Sequence, residues 1–147
     1  MSTISGEFTG ALLSGIRATA STTAPNNTLI DATGMVANLD AASTYAFEFN
    51  LIVSNGLTGL KFALDGTVGV SATNYFLGVM NGSGFTFASR TALGDAQALG
   101  GTSNASTGFI YGTITTTTAG TLQLRFASNG ADTATIVRGS WIEVWKT

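Results

Sequence analysis

The stretch Tyr45-Ala46-Phe47-Glu48-Phe49-Asn50-Leu51-Ile52-Val53 decides the fold class. Tyr45, Phe47, Phe49, Leu51 and Val53 alternate with Ala46, Glu48, Asn50 and Ile52. A period of two gathers the first set on one side of an extended strand, where a helix would scatter it around the axis. Asn55-Gly56 then supplies a turn. Leu60, Phe62 and Leu64 alternate with Lys61, Ala63 and Asp65 before Asp65-Gly66 ends the run. Residues 45–65 are therefore expected to form a hairpin-like pair of strands.

The same period recurs outward from that stretch. Tyr75 to Met80 is a mixed apolar strand closed by Asn81-Gly82-Ser83-Gly84, and Phe85 and Phe87 open a short one. Phe109 to Thr115 is β-branched and aromatic, Leu122, Leu124 and Phe126 alternate with Gln123 and Arg125, and Thr133 to Val137 leads through Arg138-Gly139 into Trp141 to Lys146. One or two further strands fall around Leu29-Ile30 and Met35 to Leu39. Turn signals roughly every 8–12 residues fit an all-β sandwich or barrel. Thr115 to Thr118 is expected as turn spacing between strands, and residues 91–107 as a long loop with room for a short helix around Asp95 to Leu99. Residues 1–28 read differently, with small residues, an apolar patch at Leu12-Leu13 and Arg17 as the only basic group. They form an arm or a first strand ahead of a body at 29–147.

Composition narrows the function classes. At 147 residues the chain suits one domain. Charged residues make up 10%, against about a quarter in typical soluble domains. Ser, Thr, Asn and Gly must then supply the polar surface, and an uncharged surface costs little to desolvate against other protein. The composition favours a component of an assembly. The basic residues Arg17, Lys61, Arg90, Arg125, Arg138 and Lys146 are scattered singly under a net charge of −2, which disfavours nucleic acid. No apolar run approaches the roughly 20 residues of a membrane span. The first residues lack the basic start and apolar run of a secretion signal, so cytoplasmic synthesis is expected.

Chemistry-bearing groups are few. The chain has no His and no Cys, which removes the commonest acid–base group, thiolate nucleophiles and transition-metal ligands. Neither Lys61 nor Lys146 stands in a Ser-x-x-Lys pattern, and the Gly-rich stretches lack the Lys-Ser/Thr of a phosphate loop. Asp31, Asp40, Glu48, Asp65, Asp95, Asp132 and Glu143 leave a carboxylate-pair hydrolase open in principle. Most of these carboxylates stand in turn-like settings. No catalytic residue, cofactor or metal ligand is expected.

The last strand is the sharpest feature. Trp141, Glu143 and Trp145 point to one side and Ile142 and Val144 to the other. Both faces are apolar, so one lines the core and the other needs a cover from this chain or from another subunit. A sugar-stacking platform is a further reading of exposed aromatics. The charges Glu48, Arg125, Glu143 and Arg138 either face water or pair across a subunit interface.

The segment Ala119-Gly120-Thr121-Leu122-Gln123-Leu124-Arg125-Phe126-Ala127, with Thr133-Ala134-Thr135-Ile136-Val137-Arg138-Gly139-Ser140-Trp141-Ile142-Glu143-Val144, resembles the ending of small virion proteins of tailed bacteriophages. Tyr45 to Phe49 and Gly59 to Gly66 fit the same pattern, so the resemblance spans about residues 29–147. It implies an antiparallel jelly-roll β-sandwich akin to tumour-necrosis-factor-like domains, with about eight to ten strands and commonly trimeric. Such proteins serve as decoration (cement) proteins on phage heads, or in fibres and tails. No catalytic residues come with the resemblance. It leads to the expectation of a non-enzymatic virion protein that stabilises the head as a homotrimer on the major capsid protein. The second reading is a fibre or tail module whose loops, such as 91–107, bind host glycans. Trp141, Ile142, Glu143, Val144, Trp145, Arg125 and Arg138 are the expected interface or core residues, and Leu12, Leu13 and Arg17 the expected capsid-docking residues.

Overall fold

A computed structural model describes residues 12–81, 84–99 and 105–147, apart from the side chains of residues 12–14, 81, 105 and 106. The described residues form twelve strands and no helix. Eight build one antiparallel sheet: β1 (Leu12–Arg17), β2 (Thr22–Ala24), β4 (Thr44–Asn55), β6 (Gly69–Asn81), β7 (Gly84–Arg90), β9 (Ala105–Thr118), β11 (Ala134–Ile136) and β12 (Trp141–Lys146). The order across it is β1-β12-β4-β9-β6-β7, with β11 beside β4 and β2 beside β11. The second sheet holds β3 (Ile30–Leu39), β10 (Gly120–Ser128), β5 (Leu60–Gly66) and β8 (Gln97–Leu99) in the order β3-β10-β5-β8.

The core lies between the sheets and follows the alternation in the sequence. From the first sheet come Tyr45, Phe47, Phe49, Leu51, Tyr75, Leu77, Ile110, Ile142 and Val144, all buried. From the second come Met35, Leu60, Phe62, Leu64, Leu122, Leu124 and Phe126. Each such side chain contributes about 1.5–3 kcal/mol when fully removed from water. Phe47 meets Phe49 edge-on at 6.0 Å between ring centroids, a favoured aromatic geometry.

Several expectations are corrected. Residues 45–65 are not a hairpin: β4 pairs with β9, β11 and β12, whereas β5 pairs with β10 and β8 in the other sheet. The turn at Asn55-Gly56 therefore carries the chain between layers. Thr115 to Thr118 is the end of strand β9, where the buried Thr116 hydroxyl lies 2.6 Å from the Asp40 carbonyl. A buried hydroxyl with a backbone partner suits a strand interior as well as an apolar residue does. The segment read as a loop with room for a helix holds β8 instead. The strand count exceeds the expected eight to ten because β2 and β8 span only three residues each, too few for a period to be read, and β1 lies in the segment expected as an arm or a first strand.

One local device positions the last strand. Both β11 and β12 pair with β4, and the chain between them must leave that ladder. Gly139 takes a φ of +93° there, a conformation that favours glycine. The buried Ser140 hydroxyl accepts from Ile52 N at 2.9 Å, filling the gap in the ladder.

Candidate functional site

Alternation that sends Phe47 and Phe49 inward sends Glu48 and Asn50 outward, and the same holds for each neighbouring strand. The register then lines up outward residues in rows across the eight-stranded sheet. One row runs Glu143, Glu48, Tyr111, Phe76 over β12, β4, β9 and β6. The next runs Trp141, Asn50, Phe109, Gly78, Phe87 and reaches β7. A third runs Ile52, Thr107, Met80, Phe85.

The rings in these rows touch. Phe76 stacks on Tyr111 at 5.5 Å, Tyr111 on Phe109 at 5.8 Å and Phe109 on Phe85 at 5.0 Å, while Phe85 meets Phe87 at 5.8 Å. Packing among themselves does not remove them from water: Phe87 remains 65% exposed, Phe85 53%, Met80 49% and Tyr111 48%. A glycine makes the array possible. A Cβ on Gly78 would stand 2.5 Å from Phe109 Cζ and 2.9 Å from the Thr86 carbonyl oxygen, so the Phe109 ring lies where a side chain would otherwise be. Between the rings and β4 runs an open groove of about 550 Å³, bounded on its polar side by Glu48, Asn50 and Thr107.

The electrostatics of this face are unbalanced. Glu48 and Glu143 are direct cross-strand partners, and like charges opposite one another destabilise a sheet. Asn50 Nδ2 donates to Glu48 Oε1 at 2.8 Å. Among the described residues no cation lies within ion-pair distance of either carboxylate; the three ion pairs all involve Arg125 or Lys146. Contiguous apolar surface rimmed by polar groups marks an interaction site.

No protein-family model matches this chain, and a search of curated proteins finds no match.

The residues singled out by sequence separate into different places. Trp141, Glu143 and Trp145 lie on the outer face of β12, half-buried, and Ile142 and Val144 in the core. Arg125 sits on the outer face of the other sheet, engaged by its own chain: Nη1 reaches Asp65 Oδ2 at 3.3 Å, Nη2 donates to the Leu29 carbonyl at 3.1 Å, and Nε lies 3.1 Å from Asp31 Oδ1 as an ion pair without hydrogen-bond geometry. Arg138 lies exposed in the connection from β11 to β12, where its backbone N–H donates to Ser21 Oγ. Arg17 is exposed in β1 opposite Trp141. Leu12 and Leu13 belong to β1, which pairs with β12, and their side chains lie outside the described residues. The glycan-loop reading of 91–107 falls partly on residues 100–104, also outside them.

Apart from the neighbouring Glu48 and Glu143, the carboxylates are engaged at separate places. Asp31 and Asp65 flank Arg125, Asp40 pairs with Lys146, and Asp132 accepts from Thr58 N. Among the described residues no three acidic side chains gather as a metal site would require, and no helix is long and apolar enough to cross a membrane. Sequence reasoning passed over Phe76, Phe85, Phe87, Phe109 and Tyr111. Their signal is the one that marked Trp141 to Trp145: in Tyr75-Phe76-Leu77 and Phe109-Ile110-Tyr111 adjacent positions are both large and apolar, so each strand has a second greasy side.

Proposed function

We propose that this chain is a non-enzymatic structural protein of a phage virion, a capsid decoration protein that works as a homotrimer through the outer face of its eight-stranded sheet. One observation carries the reading: the contiguous rings of Phe76, Tyr111, Phe109, Phe85 and Phe87, stacked edge to edge yet open to water. Surface of this kind is stabilised when another protein covers it, and aromatic residues dominate the centres of such contacts. Strand order adds support for a jelly roll. The chain changes sheet at β2–β3, β3–β4, β4–β5, β5–β6, β7–β8, β8–β9, β9–β10 and β10–β11, and β1-β12-β4-β9 faces β3-β10-β5-β8, as in two interleaved Greek keys. The hairpin β6–β7 extends the first sheet beyond β9. The virion assignment itself rests on the sequence resemblance.

Sedimentation velocity of the purified chain at micromolar concentration tests the oligomer, with a single species of three chain masses expected and a monomer refuting it. Added to bare phage heads, the protein should bind and raise the temperature at which the shell ruptures, by favouring the assembled state through mass action. A second reading has a specific feature behind it, because a groove with stacked rings and the polar pair Glu48 and Asn50 also suits a sugar ring. Reproducible glycan-array binding that is lost in Tyr111→Ala, by a chain that remains monomeric, would favour the fibre or tail module.

A further inference from the structure

Covering the aromatic face raises an electrostatic problem that points to how the copies meet. Glu48 and Glu143 lie side by side on the sheet with no cation within ion-pair distance among the described residues. Arg17 lines a hollow beside Glu143 without pairing with it, and Glu48 lies one strand farther off. A two-fold stack of this face on itself would bring the glutamates of both copies together. Burying like charges without compensation is strongly unfavourable. A partner surface that covers this face is therefore favoured when it brings a cation to Glu48, the glutamate farther from the chain's own Arg17.

The protein holds few candidates. Lys61, Arg90, Arg125 and Lys146 each have a side-chain hydrogen bond or ion pair within the chain. Among the described residues the guanidinium groups of Arg17 and Arg138 have none. Arg17 is the one placed on the same face, opposite Trp141 on the neighbouring strand. From its own β1 the centre of the groove on β9 is three strand positions away, about 14 Å at the usual strand spacing. A displaced neighbour can bring its own Arg17 there directly.

We infer that the aromatic groove of each copy receives Arg17 of a neighbouring copy, with the guanidinium stacked on the rings and paired with Glu48. Arginine suits both halves of that environment, since its planar cation stacks on aromatic faces and bridges a carboxylate in bidentate fashion. Because the reciprocal arrangement would set the glutamates of both copies against each other, the β1 end of one face meets the β9–β6 part of the next without the reverse contact, a heterologous arrangement. A heterologous contact closes into a ring when its rotation divides a full turn, as a trimer requires, and otherwise runs on as a filament. This inference rests on the self-association reading and supplies its geometry.

A charge swap tests it. Arg17→Glu and Glu48→Arg should each weaken assembly on the order of a hundredfold, and the double variant should restore it, as read by sedimentation over a dilution series. Circular dichroism checks that each variant folds. Should Glu48→Arg fail to fold, Glu48→Gln replaces it: the wild-type assembly should weaken as salt rises, because salt screens charge pairs, and the Glu48→Gln assembly should respond less. A monomeric wild type refutes the self-association reading itself. A wild-type trimer that both single reversals leave intact, or that the double variant fails to restore, overturns the Arg17 pairing while leaving that reading standing.

Discussion

The sandwich has two outer faces of opposite chemistry. On the four-stranded sheet, Arg125 holds Asp31, Asp65 and the Leu29 carbonyl, and Gln123 Nε2 donates to the carbonyls of Ala32 and Met35. Its polar groups find partners in their own chain. On the eight-stranded sheet, stacked rings and two adjacent glutamates find none among the described residues that neutralises or covers them. The difference teaches that folding satisfies one surface and leaves the other with apolar rings open to water, the opening on which the proposed association rests. In a chain with 10% charged residues, an arginine and two aspartates on the first face leave few charges for the second.

The comparison breaks most readily at β7. Phe85→Glu with Phe87→Glu should weaken self-association on the order of a thousandfold, with the monomer's melting temperature almost unchanged because both positions are exposed. Sedimentation paired with thermal melting checks this, and a collapse of the fold would mean that these rings belong to the core after all.

The boundary between face and core runs between Phe76 and Tyr75, neighbours on β6 that point opposite ways. Burial, helped by the nearby Asp95 carboxylate, pushes the Tyr75 phenol up from 10.0 to about 12, and its hydroxyl donates to the Ala92 carbonyl at 3.0 Å. Above pH 10 the unfolded phenol gives up its proton while the folded one keeps it, so the folded state binds more protons and stability falls as pH rises. The loss should reach roughly 2–3 kcal/mol by pH 12. Denaturant titrations across that window should show it, and Tyr75→Phe should flatten that limb.

Gly78→Ala attacks the array from beneath by driving a methyl into the Phe109 ring and the Thr86 carbonyl. It should cost about 1–3 kcal/mol and also weaken association, whereas a purely local defect would leave association alone. The smallest effect belongs to the finished face. Arg125 is one-third exposed, so solvent screens its ion pairs. Arg125→Ala should cost only about 1 kcal/mol and leave the oligomeric state untouched.

Much of the fold is legible in the chain because the core follows a strict period of two: Tyr45 to Val53 and Leu122 to Phe126 declare their inward residues without ambiguity. Which strands pair is not legible, since Tyr45 to Asp65 reads equally as a hairpin or as a crossing between layers. Only the long-range partners of β4 and β5 separate the two. The candidate site was half visible. Trp141 and Trp145 announced a strand with two apolar sides, but the rings that form the groove come from β6, β7 and β9, and their adjacency depends on register. Arg125 and Glu143, alike in the sequence as charges within strands, lie on opposite sheets.

Strand β12 carries the two tryptophans, and its backbone is hydrogen-bonded on both flanks, to β1 and to β4. An outlying strand with greasy side chains would invite another molecule to add a strand of its own, and such growth has no natural stopping point. Because residues 12–17 occupy that flank, contact through the tryptophans proceeds by side chains alone. Displacing β1 would therefore move the sheet edge onto β12 and pair the apolar tryptophan strand with an open backbone, a template for added strands.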